Sequence, residues 1–184
     1  DQKGTASTES RYKESESFLA QVVKKWEKTF FETETSSTRK VALRTSVVLG
    51  RNGGAFKPLL LLAKMGLGGK VGKGTQMFSW IHQRDYFRII EFIMMNDQIG
   101  GIINCTSPNP LSNKDLMQSI RKNVGVWFGL PAPSFAVKIG TFLIGTESDL
   151  VLDSVNVLPE VLTMSGYKFE YPDIHSALKE LTEK

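Results

Sequence analysis

The chain has 184 residues, of which 41% are hydrophobic and 23% are charged, the ordinary balance of a globular protein. Its net charge is +4, and its Lys and Arg residues form no block, which argues against nucleic acid as a partner. No apolar run is long enough to span a membrane, and no signal peptide is visible. The length suits one domain, or one domain with a small lobe.

Cys105 is the only cysteine, so the chain can form no internal disulfide and has no CxxC pair for a metal. We expect Cys105 to be a small buried residue at a strand end. No His, Cys or carboxylate cluster has the spacing of metal ligands, so no metal site is predicted. This cysteine usage fits a reducing compartment, and we expect a cytoplasmic protein.

The first part of the chain is predicted to contain a helix, a strand and a second helix. The helix from Ser17 to Phe31 has one apolar face, because apolar residues recur four positions apart at Phe18, Val22, Trp26 and Phe30. Ser15 or Ser17 could cap it. The β-branched stretch from Lys40 to Leu49 predicts one strand, and Phe56 to Met65 predicts a helix.

The same alternation continues through the rest of the chain. The middle is predicted to contain a strand at Met77–Ile81, a helix at Gln83–Met95, a strand at Gly101–Cys105, and a helix that ends near Asn123 with Ser112 or Asn113 as its cap. The tail is predicted to contain a helix from Pro131 or Pro133 to Ile144, a strand or helix at Asp149–Val157, a helix at Pro159–Ser165 closed by Gly166, a strand at Tyr167–Tyr171, and a helix at Asp173–Leu181. Alternating strands and helices predict an α/β fold, with a small helix-rich lobe from about Pro131.

A glycine-rich, basic loop lies between Gly66 and Gln76 and contains Lys70 and Lys73. Such a loop could hold an anion with its backbone N–H groups and cations. It is not a P-loop, because Gly74 stands where Ser or Thr is needed and a strand follows it. Two interpretations stay open, a mobile surface loop or a loop that borders a pocket.

The two histidines differ in context. His82 follows an apolar strand and precedes Asp85 by three residues. A His–Asp pair can perform acid–base chemistry, whereas Asp85 in the first turn of a helix more commonly serves as a favourable charge at a cap. His175 falls on the exposed face of the last helix and is expected to be incidental.

Four segments, taken in order, resemble the second half of the extended short-chain dehydrogenase/reductases, in particular an epimerase-like subfamily. They are VALRTSVVLG at Val41–Gly50, GKGTQMFSWIHQRDYFRIIEF at Gly72–Phe92, GIINCTSPNPLSNKDL at Gly101–Leu116, and VLPEVLTMSGYKF at Val157–Phe169. The resemblance covers essentially the whole chain. It implies the C-terminal part of an NAD(P)-binding Rossmann fold at residues 1–130 and a C-terminal extension, the substrate lobe, at 131–184.

The resemblance also implies a function, a cofactor and partners. The complete protein would be an NAD(P)-dependent nucleoside-diphosphate-sugar epimerase-like oxidoreductase that uses NADP or NAD. The cofactor fingerprint GxxGxxG is not in this sequence and would lie upstream of Asp1. The expected partners are a small, sugar-like substrate and either a second copy of the chain or the missing N-terminal half, which would cover an exposed sheet edge.

The chain departs from the family where the family places its general acid–base, a Tyr followed four residues later by a Lys. Phe18 and Val22 occupy the matching positions, and neither can transfer a proton. Tyr12 is the only tyrosine nearby, but the residue four positions after it is Glu16 and not Lys. The alternative function is therefore a regulatory protein that binds NADP(H) without turnover.

The resemblance places candidate site residues at two strand ends. Thr45 and Ser46 lie where such folds approach the nicotinamide, so we expect them to contact the cofactor. Three residues are expected to line or support the substrate pocket: Gln76, Trp80 and His82. Core packing is the alternative role of Trp80. Phe78 and Ser79 stand where many sugar-nucleotide enzymes have Arg and Asp.

Overall fold

The computed structural model of the chain describes residues 5–12, 17–132 and 153–183. The helices in these ranges are α1 (Phe18–Glu32), α2 (Phe56–Lys64), α3 (Gln83–Met95), α4 (Asn113–Asn123), α5 (Glu160–Met164) and α6 (Ile174–Thr182). The strands are β1 (Val41–Thr45), β2 (Val47–Gly50), β3 (Gly53–Gly54), β4 (Met77–Phe78), β5 (Trp80–His82), β6 (Gly101–Cys105) and β7 (Leu111–Ser112). In the described ranges, no helix combines the length and apolarity needed to cross a membrane.

Side-chain caps determine where several helices begin. The Ser17 hydroxyl accepts a hydrogen bond from the Ala20 N–H, which decides between the two predicted caps of α1. Ser112 caps α4 in the same way through the Asp115 N–H. The bounds predicted for α3 and β6 are confirmed. The predicted helix that ends at Ile144 lies outside the described residues.

Parallel strand pairs joined through helices confirm the α/β prediction. β1 pairs with β6 in parallel, with Leu43 opposite Ile103. β2 pairs with β5 in parallel, with Val48 opposite Ile81. The two short antiparallel pairs are β2 with β3 and β4 with β7.

The single strand predicted from Lys40 to Leu49 was wrong, because the chain changes partners at Ser46. The Ser46 N–H still donates to the Cys105 carbonyl next to β1, 3.1 Å away, whereas the Val47 N–H donates to the Ser79 carbonyl at 3.4 Å. The strand predicted at Met77–Ile81 is divided in the same way at Ser79, between β4 and β5. Each break moves the chain from one small sheet to another.

The core consists of two apolar clusters on opposite faces of the strands. One lies among β2, β5, α2, α4 and α6, and its buried residues are Leu49, Phe56, Ala63, Trp80, Leu116, Met117, Ile120, Ile174, Ala177, Leu178 and Leu181. The other consists of Ile81, Ile89, Ile93, Ile99, Ile103, Cys105, Leu162 and Tyr167. Neighbours on β5 therefore point into different clusters, as strand alternation requires.

Cys105 is buried at the end of β6, as predicted. Desolvation by burial is the main cause that raises the pKa of its thiol to about 12. The thiol is therefore protonated at neutral pH and unreactive.

The strand predicted at Tyr167–Tyr171 was also wrong, because the backbone of this segment bonds to a side chain instead of a neighbouring strand. The buried carboxylate of Asp85 accepts hydrogen bonds from the Tyr167 hydroxyl at 3.0 Å, the Glu170 N–H at 2.9 Å and the Tyr171 N–H at 2.8 Å. Asp85 thereby fixes the C-terminal segment against the start of α3. The last helix follows as predicted, and His175 lies exposed on it.

Within the described ranges, nothing covers one face of the fold. Among the described residues, β1 has a strand partner only on its β6 side. No residue of α1 is buried, although this helix carries the predicted apolar face. Its large exposed apolar residues are Phe18, Leu19, Val23, Trp26 and Phe30. This α1 face is larger than scattered single exposures would explain.

We expect Asp85→Asn to lower the free energy of unfolding by about 3 kcal/mol, since it weakens charge-assisted hydrogen bonds to a buried acceptor. Urea unfolding followed by circular dichroism measures the change. Asp97→Asn is the matched control, because Asp97 is an almost fully exposed carboxylate whose Arg39 partner lies 3.7 Å away. Equal stability of the two variants would contradict the role given to Asp85.

Candidate functional site

A cavity of about 580 Å3 opens beside the carboxyl end of β1. Its walls come from β1, from α1, and from the short segment that contains Ser7 and Thr8. The Tyr12 phenol lines it together with six Ser and Thr hydroxyl side chains: Ser7, Thr8, Thr45, Ser46, Ser79 and Thr106. The size is typical of small-molecule sites, and α/β folds bind ligands at the carboxyl ends of parallel strands.

Thr45 and Ser46, the two predicted cofactor contacts, both line this cavity. Thr45 is the exposed last residue of β1. Ser46 lies at the partner change, and its hydroxyl donates to the Cys105 carbonyl at 3.2 Å. The strand break thus presents both side chains to the cavity, and their contact with a cofactor stays a prediction.

An ion pair that the sequence did not predict joins the two main walls. Arg44 on β1 donates from Nε to Glu27 Oε1 on α1 and from Nη2 to Oε2, each at 2.7 Å. The pKa of Arg44 is raised, first by the hydrogen bond to Glu27. Its guanidinium also lies 5.1 Å from the centre of the Tyr12 ring. Arg44 and Glu27 are the charged residues of the described lining, and because they pair with each other, the cavity wall carries no uncompensated charge.

The predicted substrate residues lie elsewhere. Trp80 and His82 are fully buried, at 0% exposure. The Trp80 ring belongs to the core, with its indole N–H donating to the Asn109 carbonyl at 3.1 Å, so core packing is the role observed. Gln76 donates to the Val71 carbonyl at 3.1 Å and so braces the glycine-rich loop. None of the three lines the cavity beside β1, and their contact with a substrate stays a prediction.

His82 is the cap of α3 and part of a buried network. Its Nδ1 accepts from the Arg84 N–H at 3.2 Å, and its Nε2 lies 3.0 Å from Glu180 Oε2. The Tyr171 ring packs on it at 3.9 Å between centres. The His82 pKa is lowered, mainly by desolvation, so the neutral ring donates from Nε2 to the carboxylate. His82 therefore caps the helix. The carboxylate of Asp85 accepts hydrogen bonds from the C-terminal segment and not from His82.

The two positions of the family's proton-transfer pair do not reach the cavity. Phe18 is 77% exposed, and neither it nor Val22 belongs to the lining. Helix α1 instead presents Val23, Trp26 and Glu27 to the cavity. Among the described residues, no group of three or more His, Cys, Asp or Glu side chains could hold a metal ion.

The lowered pKa of His82 predicts a pH dependence of stability. The ordinary histidine pKa is about 6.5, and the pKa of folded His82 lies below it. As the pH falls below about 6.5, His82 becomes protonated in the unfolded chain but stays neutral in the folded chain. The contribution of His82 to stability is therefore fully present above this pH and is lost as the pH falls below it. The loss is at most about 1.4 kcal/mol per pH unit.

We therefore expect His82→Asn, which keeps a capping oxygen, to show a smaller loss of unfolding free energy between about pH 7 and pH 5 than the unchanged chain. Urea unfolding at several pH values measures this slope. His175→Asn removes the exposed histidine and should retain the original slope. An unchanged slope in His82→Asn would show that other groups cause the loss.

Comparison with known proteins places this geometry in a family context. Residues 132–181 match the family model described as a domain of unknown function, DUF1731. The chain is 33% identical over 165 residues to the epimerase family protein SDR39U1 of Homo sapiens, an alignment that covers 89% of this chain and 55% of that protein. It is 33% identical over 171 residues to the epimerase family protein SA0724 of Staphylococcus aureus, covering 91% and 55%. The chain thus spans about half the length of the curated relatives it matches.

Solved structures give the same result. Human SDR39U1, crystallised with NADPH, superposes with a TM-score of 0.81 at 30% identity, covering 95% of this chain and 63% of that one. A nucleoside-diphosphate sugar epimerase from Corynebacterium glutamicum gives 0.75 at 30% identity, covering 97% and 33%. UDP-glucose 4-epimerase from Thermus thermophilus, in complex with NAD, gives 0.68 at 12% identity, covering 97% and 57%, and supports the Rossmann-type fold alone. The resemblance to the epimerase-like short-chain dehydrogenase/reductases, inferred from the order of the motifs, is confirmed by both sequence and fold.

Proposed function

We propose that this chain forms one wall of an NAD(P)(H) site in an epimerase-like oxidoreductase that acts on a nucleoside-diphosphate sugar. The observation that carries the proposal is the hydroxyl-lined cavity beside the carboxyl end of β1, which contains Thr45 and Ser46. The similarity to human SDR39U1, crystallised with NADPH, supports the same assignment.

The cavity chemistry fits the nicotinamide and ribose end of such a cofactor. Hydroxyl groups can donate to and accept from a carboxamide and a ribose, and the Arg44–Glu27 pair leaves the wall neutral. Trp26 and Val157 add apolar surface for a ring. The pyrophosphate would require unpaired cations or helix N–H groups, whereas the cation of this lining, Arg44, is paired with Glu27. When bound, the cofactor would supply hydride acceptance and donation, and these residues would orient it and exclude water.

A second function is favoured by the identity of Phe18 and Val22. Without the Tyr–Lys pair, α1 offers no proton donor at the expected positions. Tyr12 contributes the one phenol of the described lining, and its ring packs on Arg44. NADP(H) binding without turnover is therefore the alternative activity.

We expect Thr45→Trp to weaken NADPH binding at least about tenfold, since a large side chain on an exposed lining residue fills the cavity. Titration of NADPH into the longest natural form of the protein, followed by tryptophan fluorescence, measures the affinity. Thr38→Trp places the same ring on an exposed residue outside the lining and should leave binding unchanged. Equal affinities in the two variants would refute the cofactor site.

The same sample separates the two functions. Incubation with NADPH deuterated at C4 and a panel of nucleotide keto-sugars, whose carbonyl carbon can accept the deuteride while its oxygen takes a proton, should yield a deuterated alcohol and NADP+ if the protein is an oxidoreductase. Tight NADPH binding with no deuterium transfer would favour the regulatory alternative.

We also propose that the α1 face and the open edge of β1 are covered by the sequence that precedes this region in the longer relatives. A parallel strand is normally buried between neighbours on both sides, whereas β1 has one neighbour among the described residues. The alignment covers 55% of the human relative, so a large part of that protein lies outside it. An uncovered edge beside an apolar helix promotes self-association.

Isolated from that preceding sequence, the chain should form concentration-dependent oligomers, which light scattering coupled to size-exclusion chromatography would detect. Trp26→Glu should shift the distribution towards the monomer, because Trp26 is 70% exposed at the centre of the α1 face. Trp127→Glu is the control, because Trp127 is 90% exposed and lies outside the α1 face. It should shift the distribution towards the monomer less than Trp26→Glu does. A monomer at every concentration would contradict the proposal.

A further inference from the structure

Another cavity, of about 290 Å3, lies between the glycine-rich loop and α4 and shares no lining residue with the cavity beside β1. Its side-chain donors are Lys70, Lys114, Gln118 and Arg121, and the backbones of Gly69 and Gly129 form part of its wall. Three of these side chains are cations, and no carboxylate belongs to the lining. We call this the basic cavity.

Helix geometry aligns three of the donors. Lys114, Gln118 and Arg121 are spaced by four and then three residues on α4, so they share one face. The row extends over roughly 10 Å, at 1.5 Å per residue. Lys70 faces this row from the loop, since a Cβ built on Gly74 would lie 2.8 Å from the Lys70 Cβ and 3.2 Å from the Lys114 Cβ. The side chains of Lys70 and Lys114 therefore leave the backbone close to each other, on either side of Gly74.

Arg121 is held in place by backbone on two sides. Its Nη1 donates to the Gly68 carbonyl. Its side chain packs so tightly on Gly129 that a Cβ there would lie 2.7 Å from Nη1. Its Nε is buried and has no hydrogen-bond partner among the described residues. Arg121 is only partly buried, and the contacts of Nη1 and Gly129 leave the rest of its guanidinium at the cavity wall.

The charges of the basic cavity are likewise uncompensated. In the described part of the chain, none of Lys70, Lys114 and Arg121 forms an ion pair. Lys114 also lies in the first turn of α4, where the helix dipole disfavours a cation and favours an anion. The backbone N–H of Lys114 is already used by the Gly74 carbonyl, so an anion would be held by side chains.

We propose that the basic cavity binds a phosphate-bearing anion with two linked phosphoryl groups, for which inorganic pyrophosphate is the simplest probe. Two cations, Lys114 and Arg121, at the ends of a row of this length, with Lys70 facing them, match the charge and extent of a diphosphate better than those of one phosphate. Of the two interpretations of the glycine-rich loop, this selects the border of a pocket, because Gly69 and Lys70 line it. The inference does not depend on the proposed function, since it uses neither the cofactor nor the cavity beside β1.

The test is isothermal titration of pyrophosphate into the chain at constant ionic strength. Lys70→Gln with Lys114→Gln should weaken binding at least about tenfold, because it removes two of the three cations. Both side chains are exposed, so the double variant should fold, and its circular dichroism melting curve checks this. Lys122→Gln is the control: it removes one lysine charge from the residue after Arg121, outside the lining, and should retain binding within about twofold.

Further ligands identify the source of the diphosphate. Equal affinity for pyrophosphate and a nucleoside diphosphate, both lost in the double variant, would assign the site to the diphosphate alone. Tighter binding of the nucleoside diphosphate, lost in the same variant, would assign it to a nucleotide. Equal binding by the unchanged chain and the double variant, equal losses in Lys122→Gln, or no pyrophosphate binding would overturn the proposal. Thr45→Trp should leave pyrophosphate binding intact, which separates this result from failure of the NADPH site.

Discussion

The buried carboxylate of Asp85 is the constraint on which the arrangement of the C-terminal segment depends. Its oxygens accept one hydroxyl and two backbone N–H groups from Tyr167, Glu170 and Tyr171. This fixes the chain just before α6, and α6 in turn brings Glu180 to Nε2 of His82. A buried carboxylate without these donors would be strongly unfavourable, so the C-terminal segment and the start of α3 stabilise each other.

The changes of strand partner create the cavity beside β1. At Ser46 and at Ser79 the chain leaves one small sheet and enters another, and both side chains then line the cavity. The Ser79 hydroxyl donates to the Val155 carbonyl and accepts from the Val157 N–H, each at 2.9 Å, so it also holds the opposite wall. The polar residues that interrupt two apolar strands therefore have both a structural and a lining role.

The sequence was a good guide where local periodicity decides the structure, as in α3 and α4. It failed at Ser46 because β-branched residues continue through this position, and only partners distant in sequence divide the strand. It failed at Tyr167–Tyr171 because a carboxylate 82 residues earlier takes the place of a neighbouring strand. The family resemblance predicted that Thr45 and Ser46 contact the cofactor; both line the cavity beside β1, and the contact itself stays a prediction. The Arg44–Glu27 pair has no local signal, since it joins residues 17 positions apart across two elements.

The two cavities differ most in electrostatics, and this difference predicts a distinct ligand preference for each. In the cavity beside β1, the cation of Arg44 is neutralised by Glu27, so selectivity there depends on hydrogen bonds and shape. In the basic cavity the cations face no carboxylate, so attraction of an anion is mainly coulombic. Coulombic attraction between partly exposed groups weakens with ionic strength, because the Debye length is about 8 Å at 0.15 M salt. Added salt should therefore release pyrophosphate from the basic cavity, and the dependence of its affinity on salt concentration measures the coulombic part of that binding.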